Sequence, residues 1–145
     1  MKAVRIHRFG GPEVLDLEDV PTPHPGGDEV VVEVRAASVN PVDYKIRAGQ
    51  YPMVKQDKLP VVMGRDIAGV VAEGNAAGFK PGDEVFALVS TEHGGYAERT
   101  LVAANELAAK PRSLDFVEAA AVPLAGLTAW QGLFEQGGFR PGSAC

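Results

Sequence analysis

Short valine-rich runs separated by glycine and proline are the feature that most constrains how this chain can fold. The 145 residues include 17 glycines and 11 prolines, and through the first 112 residues they divide one apolar run from the next. Short strands with turns at near-regular spacing indicate a β-barrel or a β-sandwich. The alternation of side chains is clearest over residues 29–39. The predicted strands are residues 2–7, 14–20, 29–39, 61–73, 84–89 and 96–102. The run over residues 61–73 is predicted to be interrupted at Gly64 and Gly69.

The character of the sequence changes after this β-rich part. Asp115 followed three residues later by Glu118 is the pattern of a capping box, which predicts the start of a helix. Pro123 interrupts that helix, and apolar residues then recur at helical spacing until a pair of glycines ends a second helix. We therefore predict a mainly β domain over residues 1–112, followed by two connecting helices within residues 113–145.

The balance of charge argues against two classes of partner. The chain carries 14 basic and 19 acidic residues, a net charge of −5, and the basic residues form no stripe. Nucleic acids and anionic membranes both attract concentrated lysine and arginine, so neither is predicted as a partner. No apolar run reaches the roughly 20 residues of a membrane-spanning helix, and the N-terminus lacks the apolar core of a signal peptide. The sequence predicts a cytoplasmic protein.

Common motifs for metals and phosphates do not occur in the 145 residues. The single cysteine, Cys145, is the last residue, so it can neither form a disulfide within the chain nor build a cysteine-based metal site. His7, His24 and His93 have neither the spacing nor the cysteine neighbours of a zinc site. There is also no Gly-x-Gly-x-x-Gly and no P-loop, so these residues offer no phosphate cradle.

The stretch SVNPVDYKIRAGQY, residues 38–51, joins the clearest predicted strand to a short helix. Asn40 suits the N-cap position, and Asp43 falls in the first turn, where the helix dipole favours a carboxylate. Tyr44 and Tyr51 are then predicted to be partly buried aromatic residues. Local physics therefore indicates a strand-to-helix turn more strongly than a functional site.

Six segments, taken in order along the chain, carry a resemblance that covers essentially all of it. They are MKAVRIHRFGGPEVL, VRAASVNPVDYKIRAGQYP, PVVMGRDIAGVV, FKPGDEVFAL, GGYAERTLV and AAAVPLAGLTAWQGL. Together they resemble the N-terminal, GroES-like part of the medium-chain dehydrogenase/reductases, and within them the zinc-free, zeta-crystallin-like branch of quinone oxidoreductases. The resemblance implies a GroES-like, partly open β-barrel with short helices. In the family a Rossmann domain follows, and we expect it to be absent from these 145 residues.

The resemblance also implies that zinc is not used. Zinc-dependent relatives have a cysteine ligand where this chain has Asn40, and a His-Glu pair where it has Arg65 and Asp66. Their four-cysteine lobe would interrupt residues 90–99, a region that is short here. Arginine never deprotonates and so cannot ligate a divalent metal; taken locally, Arg65 and Asp66 are predicted to form a charge pair at a bend. Without a Lewis acid to polarise the substrate, alcohol dehydrogenation is disfavoured.

The family pattern implies roles for individual residues. By resemblance, Asn40 faces the nicotinamide and the substrate oxygen, Tyr51 lines the acceptor pocket, and Thr128 contacts the nicotinamide carboxamide. Asp43 is expected to order the pocket wall rather than to transfer a proton. Asn40, Asp43 and Tyr51 are thus the catalytic candidates, and Asn40 and Thr128 are the cofactor-binding candidates. Well-known quinone oxidoreductases have a tyrosine where this chain has Lys45, which leaves the substrate preference open.

The reaction that the resemblance implies is hydride transfer from NADPH to a quinone or to another conjugated acceptor such as an enone. NADPH rather than NADH, and a homodimer, are expectations from the family alone. Most cofactor contacts in this fold come from a phosphate loop, so the 145 residues by themselves are predicted to be inactive and to bind no dinucleotide measurably. Two alternatives stay open: an enoyl-thioester reductase of the same zinc-free branch, and a stand-alone GroES-like binding module.

Overall fold

A computed structural model describes residues 1–140, and most of its regular structure is β-strand. The strands are β1 (Lys2–Ile6), β2 (Asp16–Asp19), β3 (Glu29–Ser38), β4 (Val61–Val62), β5 (Asp66–Glu73), β6 (Glu84–Leu88), β7 (Arg99–Ala103) and β8 (Leu107–Ala109). The α-helices are α1 (Pro41–Arg47), α2 (Phe116–Ala120) and α3 (Pro123–Trp130), and α3 continues into a π-helical turn over Gln131–Gln136. The prediction about Cys145 falls outside the described residues.

The strands form two antiparallel sheets. The first has three strands in the order β2-β1-β4, and the second has five strands in the order β7-β3-β5-β6-β8. The two sheets are joined beside an isolated bridge between Ala3 and Ala97, where the Val4 N–H donates to the Tyr96 carbonyl at 2.8 Å. This arrangement confirms the predicted mainly β, partly open barrel with short helices.

Two apolar clusters fill the barrel, and their burial supplies the main driving force for folding. The cluster of the five-stranded sheet contains Val30, Val32, Ile67, Val71, Ala76, Val85, Ala87, Val89, Val102 and Ala104. The second cluster contains Ile6, Val14, Ile46, Val54 and Met63. Ile46 belongs to α1, so this helix, and with it the turn at Asn40, is anchored by the core.

Strand β3 departs from the predicted alternation of inward and outward side chains. Val30, Val31 and Val32 are all buried. The pairing of β3 with β5 shifts in register between Val31 and Val32, and again between Val34 and Ala36. Such bulges bend a strand and redirect its side chains, so a strict period of two does not hold along it.

The interruption predicted at Gly64 within residues 61–73 is confirmed, whereas the one predicted at Gly69 is wrong because β5 runs through that residue. β4 pairs with β1 in the first sheet, whereas β5 pairs with β3 and β6 in the second. Gly64 lies between them with φ +90°, a conformation that glycine adopts far more readily than other residues. The break places Asp66 at the start of β5. The prediction for residues 96–102 is also shifted, because β7 begins at Arg99.

The predicted capping box of the first connecting helix is confirmed. The Glu118 N–H donates to Asp115 Oδ1 at 2.8 Å, and the Asp115 N–H donates to Glu118 Oε2 at 3.0 Å. Ala119 and Ala120 of α2 pack against Ala68 of β5, so this short helix is seated on the barrel. Pro123, predicted as an interruption, is the first residue of α3. Along residues 1–140, none of the helices has the length and hydrophobicity needed to cross a membrane.

Candidate functional site

A fully buried carboxylate, Asp66, lies at the centre of a polar network at the end of β3. Its Oδ2 accepts hydrogen bonds from the Asn40 Nδ2 at 2.9 Å and from the Ser38 hydroxyl at 3.0 Å. Its Oδ1 accepts from the backbone N–H of Leu124 at 3.1 Å. Both oxygens are therefore engaged inside the protein, as a buried charged group requires.

Asn40 is held by more than the turn in which it lies. It occupies the N-cap of α1 with an extended backbone, as the sequence predicted. Its side-chain amide nitrogen, however, donates to Ser38 Oγ at 2.9 Å as well as to Asp66. Its backbone N–H donates to Asp43 Oδ2 at 2.7 Å, which ties the first turn of the helix back to its start. Local capping thus explains the backbone of Asn40 but not the direction of its side chain.

Asp43 and the partly buried Tyr96 form a second pair beside this network. Asp43 is buried, and its Oδ2 lies 3.1 Å from the Tyr96 hydroxyl, which also lies 3.0 Å from the Ser38 carbonyl. Asp43 Oδ1 is buried without a hydrogen-bond partner in the structure. Gly64 makes room for Tyr96, because a Cβ at this position would overlap the tyrosine ring.

Burial dominates the electrostatics of these acidic groups. It raises the pKa of Asp43 against the opposing effect of the hydrogen bonds from Asn40 and Tyr96. It likewise raises the pKa of Asp66, although the hydrogen bonds from Asn40, Ser38 and Leu124 act in the other direction. The pKa of Tyr96 is also raised by burial and by the nearby Asp43 charge, so its phenol stays protonated at physiological pH.

Thr128 is connected to the same network through α3. Its hydroxyl donates to the Leu124 carbonyl at 2.7 Å, one helical turn earlier. The N–H of Leu124 donates to Asp66, and Asp66 accepts from Asn40. Three of the residues predicted for the site, Asn40, Asp43 and Thr128, therefore belong to one chain of contacts.

The remaining predicted residues lie outside this chain of contacts. Tyr51 packs at the edge of the second apolar cluster, and its hydroxyl contacts the Met53 sulfur at 3.6 Å. Tyr44, predicted to be partly buried, is 49% exposed. Its position on the open face of the short α1 gives it no core to pack against. Lys45, the departure from the family pattern, is exposed as well.

Arg65 does not pair with Asp66, so the predicted charge pair is wrong. The Arg65 Nε donates to the Val89 carbonyl at 2.6 Å, and the Val89 N–H returns a hydrogen bond to the Arg65 carbonyl. Arg65 lies in the bend before β5, and its guanidinium is directed to Val89 rather than to the neighbouring carboxylate. Its charge still acts to lower the pKa of Asp66, against the larger effect of burial. Arg65 instead borders an open, largely apolar groove of about 620 Å³ between β6, β8 and α3.

A metal site is not formed by the part of the chain that the structure describes. Within residues 1–140, no three His, Cys, Asp or Glu side chains are grouped so that they could hold a metal ion. His7, His24 and His93 lie near Glu18, Glu73 and Glu29 respectively, as three separate pairs. At the positions of the zinc ligands of zinc-dependent relatives, Asn40 and Arg65 present hydrogen-bond donors to protein oxygens.

Sequence reasoning missed Tyr96 and Ser38, and it assigned Asp66 the wrong partner. Tyr96 lies 53 residues from Asp43, and Leu124 lies 58 residues from Asp66. The glycines at 64, 94 and 95 were the available signal, because glycine next to a strand often marks close approach of another chain segment. That signal does not say which segment approaches.

Comparison with known proteins places this geometry in context. Residues 26–112 match the alcohol dehydrogenase GroES-like domain family. Human quinone oxidoreductase is 42% identical over 147 residues, covering 99% of this chain and 44% of the relative. The 2-methylene-furan-3-one reductase of Solanum lycopersicum is 40% identical over 154 residues, covering 99% of this chain and 39% of the relative.

Solved structures agree with the sequence matches. The quinone oxidoreductase from Coxiella burnetii has a TM-score of 0.87 at 37% identity, over 93% of this chain and 44% of that one. A mycobacterial protein solved in complex with NADPH has a TM-score of 0.83 at 32% identity, over 98% of this chain and 43% of that one. The chain thus spans less than half the length of the relatives that it matches.

Proposed function

The chain belongs to the alcohol dehydrogenase GroES-like domain family of the medium-chain dehydrogenase/reductases, and we propose that it is the substrate-binding domain of a zinc-independent, NADPH-dependent quinone or enone oxidoreductase. The observation that carries this proposal is the network in which Asp66 connects Asn40 to the first turn of α3. The names of the human and tomato relatives support it, since 2-methylene-furan-3-one is itself a conjugated ketone.

The nitrogen groups at the positions where zinc-dependent relatives hold their metal do not fit a zinc ion. The Asn40 amide nitrogen carries hydrogens that point at Asp66 and Ser38, and the Arg65 guanidinium donates to a backbone carbonyl. Neither nitrogen has a lone pair to offer, because an amide nitrogen and a guanidinium are donors only. We therefore propose chemistry that needs no Lewis acid, which suits acceptors already activated by conjugation.

The residues that would hold the nicotinamide are Asn40 and Thr128. When bound, NADPH supplies the hydride. The Asn40 amide nitrogen already donates to Ser38 and Asp66, so the group that the side chain offers a ligand is its carbonyl oxygen. Thr128 is exposed and donates its hydroxyl hydrogen to Leu124, so it also offers an oxygen acceptor. Two acceptors suit the amide group of a carboxamide, which we propose as their partner in place of the substrate oxygen.

Asp43 and Tyr96 take a supporting role in this proposal. Asp43 is buried behind Asn40 and hydrogen-bonds to its backbone, so it fixes the turn that carries the amide. The raised pKa of Tyr96 keeps its phenol protonated and donating within the wall. Neither group is exposed for proton exchange with an acceptor. Tyr51, half-buried beside Met53, is proposed as the aromatic part of the acceptor pocket.

The nicotinamide contacts can be tested on the 145-residue chain by NMR. Reduced nicotinamide mononucleotide at millimolar concentration should shift the side-chain amide signals of Asn40 and the backbone amide of Thr128. Asn40→Ala and Thr128→Ala should each weaken this response, whereas Thr91→Ala, in a separate surface pocket, should not. Saturating ligand that shifts neither residue, or that shifts them equally in the variants, would refute these assignments.

We propose that residues 1–145 alone neither oxidise NADPH nor bind it measurably. No glycine-rich phosphate loop occurs in this sequence, and such loops carry most of the dinucleotide contacts in doubly-wound folds. Calorimetric titration with NADPH at micromolar concentration, far below the millimolar nucleotide of the NMR experiment, should give no heat beyond dilution. Clear saturable binding would contradict this part of the proposal and would leave the nicotinamide contacts untouched.

Two alternatives make different predictions. An enoyl-thioester reductase would reduce crotonyl thioesters faster than quinones or enones, and a substrate screen on a full-length family protein that carries these residues separates the two. A stand-alone binding module should cover its own apolar surface. Trp130, Leu133 and Phe134 are 59%, 45% and 42% exposed, which favours an enzyme domain over such a module. A cytoplasmic location and a homodimer are further parts of the proposal.

A further inference from the structure

Asp66 connects two segments that are far apart in the sequence. Leu124, whose N–H reaches Asp66 Oδ1, lies 58 residues downstream, and Asn40, whose amide reaches Asp66 Oδ2, lies 26 residues upstream. Asp66 is 0% exposed, so water cannot replace either contact. The loss of the carboxylate would leave partly buried donors without acceptors on both sides.

Helix α3 has no cap of its own, which explains why it needs Asp66. Val122, at the N-cap, has no side-chain acceptor, and Pro123, at the first helical position, has no N–H. Leu124 therefore carries the first backbone N–H of the helix that requires an acceptor. A carboxylate at this place also interacts favourably with the helix dipole. In α2, by contrast, the cap is the adjacent Asp115.

The backbone of Leu124 transmits this contact to Thr128. Its N–H is fixed by Asp66, and its carbonyl accepts the Thr128 hydroxyl at 2.7 Å. A shift of the first turn of α3 would therefore move the Thr128 side chain. The other carboxylate oxygen simultaneously fixes the amide plane of Asn40. The same side chain thus restrains both residues that the proposed function assigns to the nicotinamide.

We propose that Asp66 is a positioning residue that holds the Asn40 amide and the first turn of α3, with Thr128, in a single arrangement. That this arrangement serves to bind a nicotinamide rests on the proposed function. The carboxylate is suited to the task because each of its oxygens accepts and neither donates. An asparagine at 66 would turn an N–H group toward one of the two sets of donors, and an alanine would satisfy neither.

The test compares the unmodified chain with D66N and D66A by amide hydrogen exchange and by NMR of the Asn40 side chain. First-turn amides usually exchange fast, so protection of Leu124 reports on Asp66 specifically. In D66A we expect Leu124 to exchange about tenfold faster or more, in line with a lost hydrogen bond to a charge, and the Asn40 amide signals to move. In D66N at least one of the two readouts should change.

A matched control is S38A, which removes another donor to the same carboxylate without touching α3. Exchange at Leu124 should stay within about twofold of the unmodified chain. If D66N leaves Leu124 exchange within about twofold and the Asn40 signals unmoved, Asp66 only fills space and the proposal is refuted.

A second variant keeps the test decisive if buried substitutions at 66 prevent folding. Asn40 is partly exposed, so N40A carries less risk. If the carboxylate couples the two segments, N40A should shift the Leu124 amide resonance although 84 residues separate them. Shifts confined to residues 38–43 would overturn the proposal. A Leu124 response without any nicotinamide response at Asn40 or Thr128 would instead refute the proposed function and leave the positioning role standing.

Discussion

The barrel and the helical segment that follows it place similar apolar side chains in opposite environments. In the barrel, Ile67, Val85 and Val102 are 0% exposed. In α3 and the π-helical turn, the exposed fraction reaches 59% at Trp130 and 45% at Leu127. Trp130 does contact the Phe134 ring, at 4.5 Å between centroids, but both remain open to solvent. Hydrophobic sequence pattern alone therefore does not tell how deeply a segment is buried.

The two regions consequently depend on different interactions. The barrel is stabilised by packing, and α2 joins it through the buried Ala119 and Ala120. The helical segment as a whole is attached by fewer contacts, several of them single hydrogen bonds. Besides the Asp66 contact to Leu124, the Lys110 ammonium donates to the Leu114 carbonyl at 2.6 Å and lies 3.1 Å from the Glu84 carboxylate. We expect the barrel to be sensitive to volume and the helices to be sensitive to the loss of single hydrogen bonds.

The largest effect should come from removing volume in the barrel. Ile67→Ala should lower the free energy of unfolding by about 2–5 kcal/mol, because it deletes buried methyl groups and leaves a cavity. Leu133→Ala, at an apolar position that is 45% exposed, should change it by less than about 0.5 kcal/mol. Urea denaturation followed by circular dichroism measures both. Equal losses in the two variants would show that the helical segment is as well packed as the barrel.

A smaller but specific effect is expected where the two sheets separate. Gly64→Ala combines a positive φ with overlap of the Tyr96 ring, and should cost about 3 kcal/mol. Gly78→Ala shares the positive φ but has open space around it, and should cost about 1 kcal/mol. The difference between the two variants isolates the contact with Tyr96. If both lose the same stability, the ring moves away at little cost and does not hold the site.

The comparison also shows what the sequence could predict. The six predicted strand regions, the capping box at Asp115 and Glu118, and the start of the second helix near Pro123 all follow from local pattern and are confirmed. The short strand β8 was not predicted. The interruption predicted at Gly64 is confirmed too, because β4 and β5 belong to different sheets. The interruption predicted at Gly69 is wrong, because β5 continues through that residue. Features of secondary structure are predictable from the sequence where residues close together in the chain determine them.

The candidate site could be predicted only in part for a related reason. Asn40, Asp43 and Thr128 were identified through resemblance, and the structure joins them in one network. The members that connect them, Asp66 and Tyr96, act through contacts across 26 to 58 residues. Such contacts depend on which strands become neighbours, and a single sequence carries no direct record of that. The roles of all these residues toward a cofactor stay predictions.

Loss of the local helix cap should have a modest effect that is confined to α2. Asp115→Ala removes the acceptor for the Glu118 N–H and should cost about 1 kcal/mol. Asp115→Asn keeps an acceptor and serves as the matched control. Hydrogen exchange should accelerate at Glu118 and Ala119 while the amides of β5 keep their protection. Exchange that accelerates in β5 as well would show that the stability of the barrel depends on this helix.

The smallest expected effect is a dependence of stability on pH that originates in the site. The pKa values of Asp43 and Asp66 are raised in the folded state, chiefly by burial and against their hydrogen bonds. The folded chain therefore binds these protons more tightly than the unfolded chain does. Their contribution to the free energy of unfolding falls as pH rises from the unfolded value, near 3.8, through the raised pKa, and is constant above it.

Two exposed carboxylates change the stability with pH in the opposite direction, so the effect of Asp43 must be measured as a difference between two variants. The pKa values of Glu13 and Asp19 are lowered by hydrogen bonds, and their contribution to stability is lost as pH falls. Asp43→Asn keeps Glu13 and Asp19 and removes one carboxyl group whose pKa is raised, that of Asp43. The stability of the unmodified chain minus that of Asp43→Asn, from urea titrations between about pH 3.5 and 7, should decrease with pH. An increase of this difference with pH would mean that hydrogen bonding outweighs burial at Asp43. The ionised Asp43 carboxylate would then stabilise the folded chain.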